Sequence, residues 1–155
     1  MCTINKIVDK EEKARIADEI LHMLPDWFGI EESTQEYIRE SKSMPFLSAY
    51  EGETAVGFLA IKKTSPYVAE IYVMGIQPQY HRNGIGKQLF DACYQWCREH
   101  NIEYLQVKTL DYSNGDTNYA KTRCFYESMG FRPMECFKTL WDEWNPCLIM
   151  IQAIR

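Results

Sequence analysis

The sequence of 155 residues lacks a run of eighteen apolar residues, so it predicts no membrane-spanning helix. The first twenty residues carry charges between Lys6 and Arg15, where a signal peptide needs an apolar core. Internal repeats, low-complexity tracts and linkers are missing as well. We therefore expect one domain over residues 1–155, located in the cytoplasm and without a membrane partner.

An excess of positive charge is also lacking. The chain holds 17 Lys and Arg against 22 Asp and Glu, a formal net charge of −5. Nucleic-acid-binding proteins need a basic surface to neutralise phosphates, so we expect no nucleic-acid partner. Apolar residues make up 46% of the chain and charged residues 25%, which is enough apolar material for a globular core.

The six cysteines lack the spacing of a metal site. Cys93 and Cys97 lie one helical turn apart, but no neighbouring Cys or His completes a set of four ligands. In a chain that is not secreted, reduced thiols are expected rather than disulfides. We therefore expect no metal, and we interpret Cys93 and Cys97 as buried core residues.

The strongest local pattern is a strand followed by a loop and a helix. Residues 70–76 are β-branched and aromatic, which predicts a strand, and Pro78 interrupts the strand ladder after them. Apolar residues then recur at spacings of three and four, as in an amphipathic helix: Ile85, Leu89, Cys93 and Trp96.

The loop between this strand and helix fits a diphosphate. The first turn of a helix has backbone N–H groups without internal partners, and the helix dipole makes that end electropositive. Gly84 and Gly86 remove Cβ atoms that would keep a phosphate away, and Arg82 and Lys87 add positive charge. The loop lacks the third glycine of the dinucleotide fingerprint and the lysine pattern of a P-loop, which argues against those two classes of nucleotide-binding protein.

Residues 73–87, VMGIQPQYHRNGIGK, resemble motif A of the GNAT acyl-CoA-dependent N-acetyltransferases. That motif reads V-x-P and then [QR]-x-x-G-x-[GA], and His81 here takes the place of Gln or Arg without changing the backbone N–H groups. Residues 125–131 contain the complete family pattern F-Y-x-x-x-G-F. The resemblance covers residues 69–131 in detail and the rest of the chain in the order of its elements.

The resemblance implies an α/β (α+β) GNAT fold, with a mixed, mostly antiparallel sheet of about seven strands flanked by about four helices. Strands are expected at residues 2–8, 46–50, 54–63, 67–76, 104–110, 132–137 and 147–151. Helices are expected after Asp9, from about residue 32 to 41, after Gly84, and at residues 118–128. The loop of residues 138–146 is expected to be too long for a tight hairpin.

The resemblance also implies acetyl-CoA as the acyl donor. The backbone N–H groups of residues 82–87 would hold its pyrophosphate, and the backbone of residues 74–76 would pair with its pantetheine arm. The N–H of Ile76 would polarise the thioester carbonyl. Gly75 fits either a strand bulge at this point or mere close packing.

Ahead of residues 125–131 the family usually has N-x-x-A, whereas this chain has Tyr119 and Thr122 in those places. One of these two, or Arg123, is expected to replace the cofactor contact of the usual Asn. The predicted cofactor-binding residues are Met74, Gly75, Ile76, His81, Arg82, Asn83, Gly84, Ile85, Gly86, Lys87, Tyr119, Thr122 and Tyr126.

Acetyl transfer needs a neutral amine, although an alkyl amine with a pKa near 10.4 arrives mostly protonated. Glu70 is the candidate general base, because residues 69–71 resemble the base-bearing strand of the histone-acetyltransferase branch; the alternative is a solvated carboxylate at a strand start. Tyr126 is the candidate general acid, in the position where the family has a tyrosine near the cofactor sulfur; the alternative is a buried aromatic with a satisfied hydroxyl. Strand alternation places Glu70 and Tyr72 on one face.

The predicted acceptor is the primary amine of a small molecule, because two neighbouring tryptophans suggest an enclosed pocket. The predicted substrate-binding residues are aromatic: Trp27, Phe28, Tyr72, Trp141 and Trp144. Two alternatives stay open: Trp27 and Phe28 only anchor a loop, or Trp141 and Trp144 bury a homodimer interface. A peptide acceptor and a non-catalytic module that binds acyl-CoA are the alternative functions.

Overall fold

The computed structural model describes residues 2–155 and contains seven strands and four α-helices in that range. The strands are β1 (Cys2–Ile7), β2 (Phe46–Glu51), β3 (Thr54–Lys63), β4 (Val68–Ile76), β5 (Tyr104–Leu110), β6 (Arg132–Asp142) and β7 (Asn145–Ala153). The helices are α1 (Lys10–Leu21), α2 (Glu31–Ser41), α3 (Ile85–Glu99) and α4 (Thr117–Ser128). The predicted fold class is therefore confirmed.

The strands form one sheet in the order β1-β2-β3-β4-β5-β7-β6. The pairs β1/β2, β2/β3, β5/β7 and β6/β7 are antiparallel. The chain divides into two compact units, and the division passes through β4 between Glu70 and Ile71. The first unit holds residues 2–62 and 71–96, and the second unit holds residues 63–70 and 97–155.

The core of the first unit packs two helices against the sheet. Apolar residues of α1 are buried together with residues of β2, β3 and β4: Ile16, Ala17, Ile20, Leu21, Phe46, Phe58 and Val73. The rings of Phe46 and Phe58 stack with their centroids 5.1 Å apart. Each large side chain buried in this way contributes about 1.5–3 kcal/mol to stability.

Gly75 of β4 packs closely against Ile20 of α1 and Leu24. A Cβ on Gly75 would lie 3.1 Å from Ile20 Cγ2 and 3.2 Å from Leu24 Cδ1, tighter than ordinary contacts. The close-packing interpretation of this glycine is thus supported by the neighbours it has. The bulge interpretation stays a prediction.

The second unit is built on β5, β7 and β6, and its hairpin differs from the expectation. β6 continues to Asp142 and β7 begins at Asn145, so only Glu143 and Trp144 form the turn. The carboxylate of Asp142 accepts hydrogen bonds from the backbone N–H groups of Trp144 and Asn145, both at 2.9 Å. The prediction of a long loop at residues 138–146 is wrong. The β-prone residues before Asp142 continue the strand past a register shift, and the Asp142 carboxylate accepts the hydrogen bonds of the turn N–H groups.

Candidate active site

The loop before α3 leaves a row of backbone donors open. A 3₁₀ turn at Pro78–Tyr80 follows β4, and α3 begins at Ile85. Arg82 and Gly84 adopt left-handed φ angles of 66° and 77°, which turn the chain tightly into the helix. Within residues 2–155, the backbone N–H groups of residues 82–87 donate to no acceptor of the chain. We call residues 82–87 the amide cradle, because such donors at a helix N-terminus suit an anion.

The amide cradle has space and net positive charge beside it. No atom of the described chain lies within 4 Å of the position that a Cβ of Gly84 would take. Arg82 is exposed and forms no ion pair within residues 2–155. Lys87 differs from the expectation in one respect, since its Nζ lies 2.8 Å from Asp91 Oδ2, which neutralises part of its charge.

Side chains hold the loop in front of the cradle in place. His81 Nε2 donates to the carbonyl oxygen of Ile76 at 2.7 Å, and the His81 ring packs edge-on against Trp27 at 5.9 Å. Gln77 is only 6% exposed and donates through Nε2 to the carbonyl oxygen of Ala55 at 2.9 Å. Sequence reasoning missed Gln77; a polar residue between a strand end and Pro78 was the available signal.

Three predicted contacts of the pantetheine arm lie at the end of β4. Met74 and Ile76 are half-buried and Gly75 is buried. The carbonyl oxygen of Ile76 already accepts a hydrogen bond from His81. The cofactor contacts proposed for these three residues stay predictions.

Glu70 is a buried carboxylate with two partners on the same oxygen. The residue is 4% exposed, so a solvated strand-start carboxylate does not describe it. Gln106 Nε2 donates to Oε1 of Glu70 at 2.7 Å, and Lys108 Nζ lies 3.5 Å from that oxygen. Within residues 2–155, Oε2 of Glu70 accepts no hydrogen bond. The side chain is thereby oriented by one oxygen while the other keeps its lone pairs for a proton.

Cys147 of β7 lies within the electrostatic influence of this pair. Burial raises the pKa of the Cys147 thiol to about 11, while the charge of Lys108 lowers it and that of Glu70 raises it. A thiol with this pKa stays protonated at neutral pH, and it is therefore a core residue rather than a nucleophile. All six cysteines are free thiols, and no cluster of three or more potential metal ligands occurs in the described residues.

Tyr126 lies in α4 and is 8% exposed. Its ring contacts Phe125 at 5.6 Å and Phe131 edge-on at 5.7 Å between centroids. The helix ends at Ser128, and after the left-handed Gly130, whose φ is 102°, the N–H of Phe131 donates to the backbone carbonyl of Tyr126. The F-Y-x-x-x-G-F pattern thus builds a helix end that fixes the tyrosine ring.

The residues considered as replacements for the usual Asn have different surroundings. Thr122 Oγ1 donates to the carbonyl oxygen of Asn118 at 3.2 Å, and Tyr119 is half-buried at the helix start. Arg123 is 5% exposed and donates through Nη1 to the carbonyl oxygen of Leu110 at 2.7 Å. Its guanidinium also lies over the ring of Tyr112 at 4.8 Å. Arg123 therefore anchors α4 to the end of β5, which speaks against its use as a cofactor contact.

Three aromatic residues of the first unit form a continuous chain of rings. Phe28 packs edge-on against Tyr37 at 5.8 Å, and Tyr37 packs against Tyr72 at 5.3 Å. The Lys62 ammonium lies 5.8 Å from the Tyr72 ring centroid, so this ring already attracts a cation of the chain. Tyr37 joins two predicted substrate-binding residues and was missed, because its position in α2 indicates only a core contact.

Trp141 and Trp144 lie at the tip of the β6/β7 hairpin. Trp141 is 43% exposed and Trp144 is 77% exposed. Within its own unit, therefore, this pair lines no enclosed pocket. The expectation of a small acceptor drew on such a pocket and finds no support in these two side chains.

The sequence profile described as the acetyltransferase (GNAT) family matches residues 13–131 of the chain. This span includes the amide cradle, Glu70 and Tyr126. The chain therefore belongs to the acetyltransferase (GNAT) family, and the resemblance that motif A indicated is confirmed.

Two curated relatives match over part of their length. A mycothiol acetyltransferase of Corynebacterium glutamicum is 32% identical over 94 residues, which cover 61% of this chain and 30% of that protein. An N-alpha-acetyltransferase RimI of Mycobacterium tuberculosis is 30% identical over 90 residues, which cover 56% of this chain and 51% of that protein. The chain thus spans about a third to a half of the length of these relatives.

Solved structures share the fold over the full chain. A protein of the GNAT family from Desulfovibrio desulfuricans superposes with a TM-score of 0.83 at 18% identity, covering 100% of both chains. A GNAT family acetyltransferase from Elizabethkingia anophelis, solved with acetyl-CoA bound, superposes with a TM-score of 0.75 at 15% identity, covering 98% of this chain and 97% of that chain.

In the described part of this chain, no helix is long and apolar enough to cross a membrane.

Proposed function

We propose that this chain is an N-acetyltransferase, which moves an acetyl group from acetyl-CoA to the primary amine of a small molecule by direct attack in a ternary complex. The observation that carries this proposal is the amide cradle at residues 82–87, with its open N–H groups in a chain of the GNAT family. We further propose that residues 1–155 act as one domain in the cytoplasm.

The amide cradle binds the diphosphate of the acyl donor. The N–H groups of residues 82–87 donate to its oxygens, and the exposed guanidinium of Arg82 adds charge. Left-handed backbone at Gly84 keeps the approach free of a Cβ. The chemistry that acetyl-CoA supplies is a thioester carbonyl, and the N–H of Ile76 polarises that carbonyl.

Glu70 removes the proton from the acceptor ammonium, directly or through a water molecule. Gln106 and Lys108 hold Oε1, so the proton goes to Oε2. The amine nitrogen then attacks the carbonyl carbon, a C–N bond forms and the C–S bond breaks. Tyr126 donates a proton to the departing sulfur through its hydroxyl, and the second proton that the nitrogen loses as the amide forms passes through solvent to restore the tyrosine.

The acceptor binds against the aromatic residues of the first unit, where Tyr72 attracts the Lys62 ammonium. Aromatic faces stabilise cations, which favours an amine that arrives protonated. A peptide N-terminus is the second candidate acceptor, and the RimI relative is the observation that favours it.

The experiment is thiol release from acetyl-CoA with the purified chain, a panel of small amines and a panel of peptides. Turnover on a small amine, reduced by Tyr126→Phe, supports the proposal. Turnover on peptides alone would show that the acceptor is a peptide rather than a small molecule. Binding of acetyl-CoA without turnover on either panel would indicate a non-catalytic module that binds acyl-CoA. Absence of acetyl-CoA binding would contradict both the enzyme and the binding module.

A further inference from the structure

A cavity of the first unit has a rim of lysines. It has a volume of about 450 Å³ and lies where β1 ends, α1 begins and β2 begins. We call it the lysine pocket after its four cationic lining residues: Lys6, Lys10, Lys13 and Lys42. The chain carries a net charge of −5, so this concentration of positive charge runs against its overall balance.

The lysine pocket contains a buried ammonium without a carboxylate. Lys13 is 8% exposed, and its Nζ donates to the carbonyl oxygen of Met44 at 2.7 Å and, at 3.5 Å, to that of Lys42. No Asp or Glu of the described chain forms an ion pair with Lys13. Burial, and to a smaller extent the charge of Lys10, lower the pKa of Lys13. A buried ammonium that has like charge near it and no carboxylate partner gains stability from an added anion.

Other charged groups near the rim do not neutralise the excess of positive charge in the lysine pocket. Lys42 pairs with Glu11 at 3.4 Å, but the Glu11 side chain is 82% exposed and does not line the cavity. Asp9 caps α1 through the N–H of Glu12. Lys6 and Lys10 are exposed and form no ion pair within residues 2–155. The cavity therefore presents several positive charges and no lining carboxylate.

The remaining lining residues are mainly apolar, and they include Met44, Phe46, Ile61 and Trp96. A cavity of this volume is within the range of small-molecule sites, which combine apolar walls with a few polar groups. One buried ammonium calls for one negative charge, and the apolar walls call for a hydrocarbon body. We propose that the lysine pocket binds a small carboxylic acid with an apolar body, with its carboxylate on Lys13 and its body against Phe46 and Trp96.

This binding site is separate from the amide cradle. Trp96 lies eleven residues beyond Ile85 in α3, which is about 16 Å along the helix axis. At the cradle end, Gln77 N donates to the carbonyl oxygen of Val56 near the start of β3, whereas Ile61 of the lysine pocket lies near its end. The two sites thus lie at opposite ends of the first unit, and the proposal does not depend on acetyl transfer.

The test is calorimetric titration of the full chain with octanoate, compared with octanamide and with inorganic phosphate. We expect octanoate to bind, and octanamide and phosphate to bind about tenfold more weakly or not at all, because each lacks one of the two required features. Lys13→Met, which keeps the stem and removes the charge, should weaken octanoate binding about tenfold. Lys121→Met, an exposed change in the second unit, is the matched control and should leave it unchanged.

A second variant keeps the test decisive if Lys13→Met does not fold. Lys10→Met changes an exposed rim residue and should weaken octanoate binding by a smaller factor with the fold intact. The indole N–H resonance of Trp96 should shift in the NMR spectrum of the protein when octanoate is added. Absence of octanoate binding to the wild type, equal binding by Lys10→Met and wild type, or displacement of octanoate by acetyl-CoA would each overturn the proposal.

Discussion

The two units place their candidate functional groups in opposite settings. In the first unit the amide cradle consists of backbone N–H groups that the fold leaves open, and its residues 82–84 are exposed. In the second unit Glu70 is buried and bonded to Gln106 and Lys108, so that one carboxylate oxygen is committed. A binding group for a solvated diphosphate must stay accessible, whereas a proton acceptor benefits from fixed orientation and restricted water.

The largest expected effect is that of Glu70→Gln. Because Gln keeps the shape but cannot accept the proton, kcat should fall about 100-fold or more, with little change in the affinity for acetyl-CoA. Steady-state kinetics with the amine found by the panel measure both parameters. Glu103→Gln, an exposed change in the same unit, is the control. Unchanged kcat in Glu70→Gln would assign the buried carboxylate to stability alone.

The next effect tests the open setting of the cradle. Gly84 and Gly52 share a left-handed φ, of 77° and 62°, and open space at the Cβ position, so alanine at either position should cost stability by about 1–2 kcal/mol. Only Gly84→Ala should weaken acetyl-CoA binding, about tenfold, because its Cβ enters the approach of the diphosphate. Thermal unfolding of the two variants measures the cost of backbone strain, and equilibrium binding measures the separate effect on acetyl-CoA affinity. Equal acetyl-CoA affinity in both would remove the cradle from the proposal.

A smaller effect concerns the buried setting of the second unit at alkaline pH. The pKa of Cys147 is raised from 9.0 to about 11, so the folded chain keeps a proton that the unfolded chain loses in this range. The protonated thiol therefore contributes on the order of 2 kcal/mol to the free energy of unfolding below pH 9, and this contribution is lost as the pH rises to 11. Urea unfolding of Cys147→Ala should show a flatter pH dependence than the wild type, and exposed Cys124→Ala should not. Identical slopes in all three would show that the thiol does not titrate differently on unfolding.

The smallest effect belongs to the surface of the first unit. A hydrogen bond to Glu31 at 2.8 Å, followed by one to the backbone of Asp18, raises the pKa of His22. Its stabilising charge is fully present below pH 6.5 and is lost as pH rises through the raised value. His22→Gln should therefore lower the urea midpoint slightly at pH 5.5 and not at pH 9. A double-mutant cycle with Glu31→Gln measures the coupling, and no coupling at pH 5.5 would contradict the assignment.

Local pattern was sufficient for most of the fold. The spacing of Ile85, Leu89, Cys93 and Trp96 predicted α3, and all four side chains are buried. The family resemblance of residues 73–87 and 125–131 correctly indicated the family that the profile match establishes. These features depend on residues close in sequence, where periodicity and glycine positions determine which side faces the core.

The expectation for the β6/β7 hairpin failed where the deciding interaction is specific rather than periodic. The carboxylate of Asp142 satisfies the N–H groups of Trp144 and Asn145, and a two-residue turn closes in place of a nine-residue loop. Residue type alone does not reveal whether Asp142 projects into a pocket or accepts from its own turn.

The sequence by itself determined the order of the elements, the glycine loop before α3 and the family, since these follow from local spacing. Only the tertiary structure decided that Glu70 is buried with Gln106 and Lys108, which are 36 and 38 positions away in the chain. It also brought Lys13 to the carbonyl of Met44, 31 positions away, without a carboxylate beside it. Such surroundings depend on how distant segments pack, and packing determines the burial and charge on which the proposed chemistry depends.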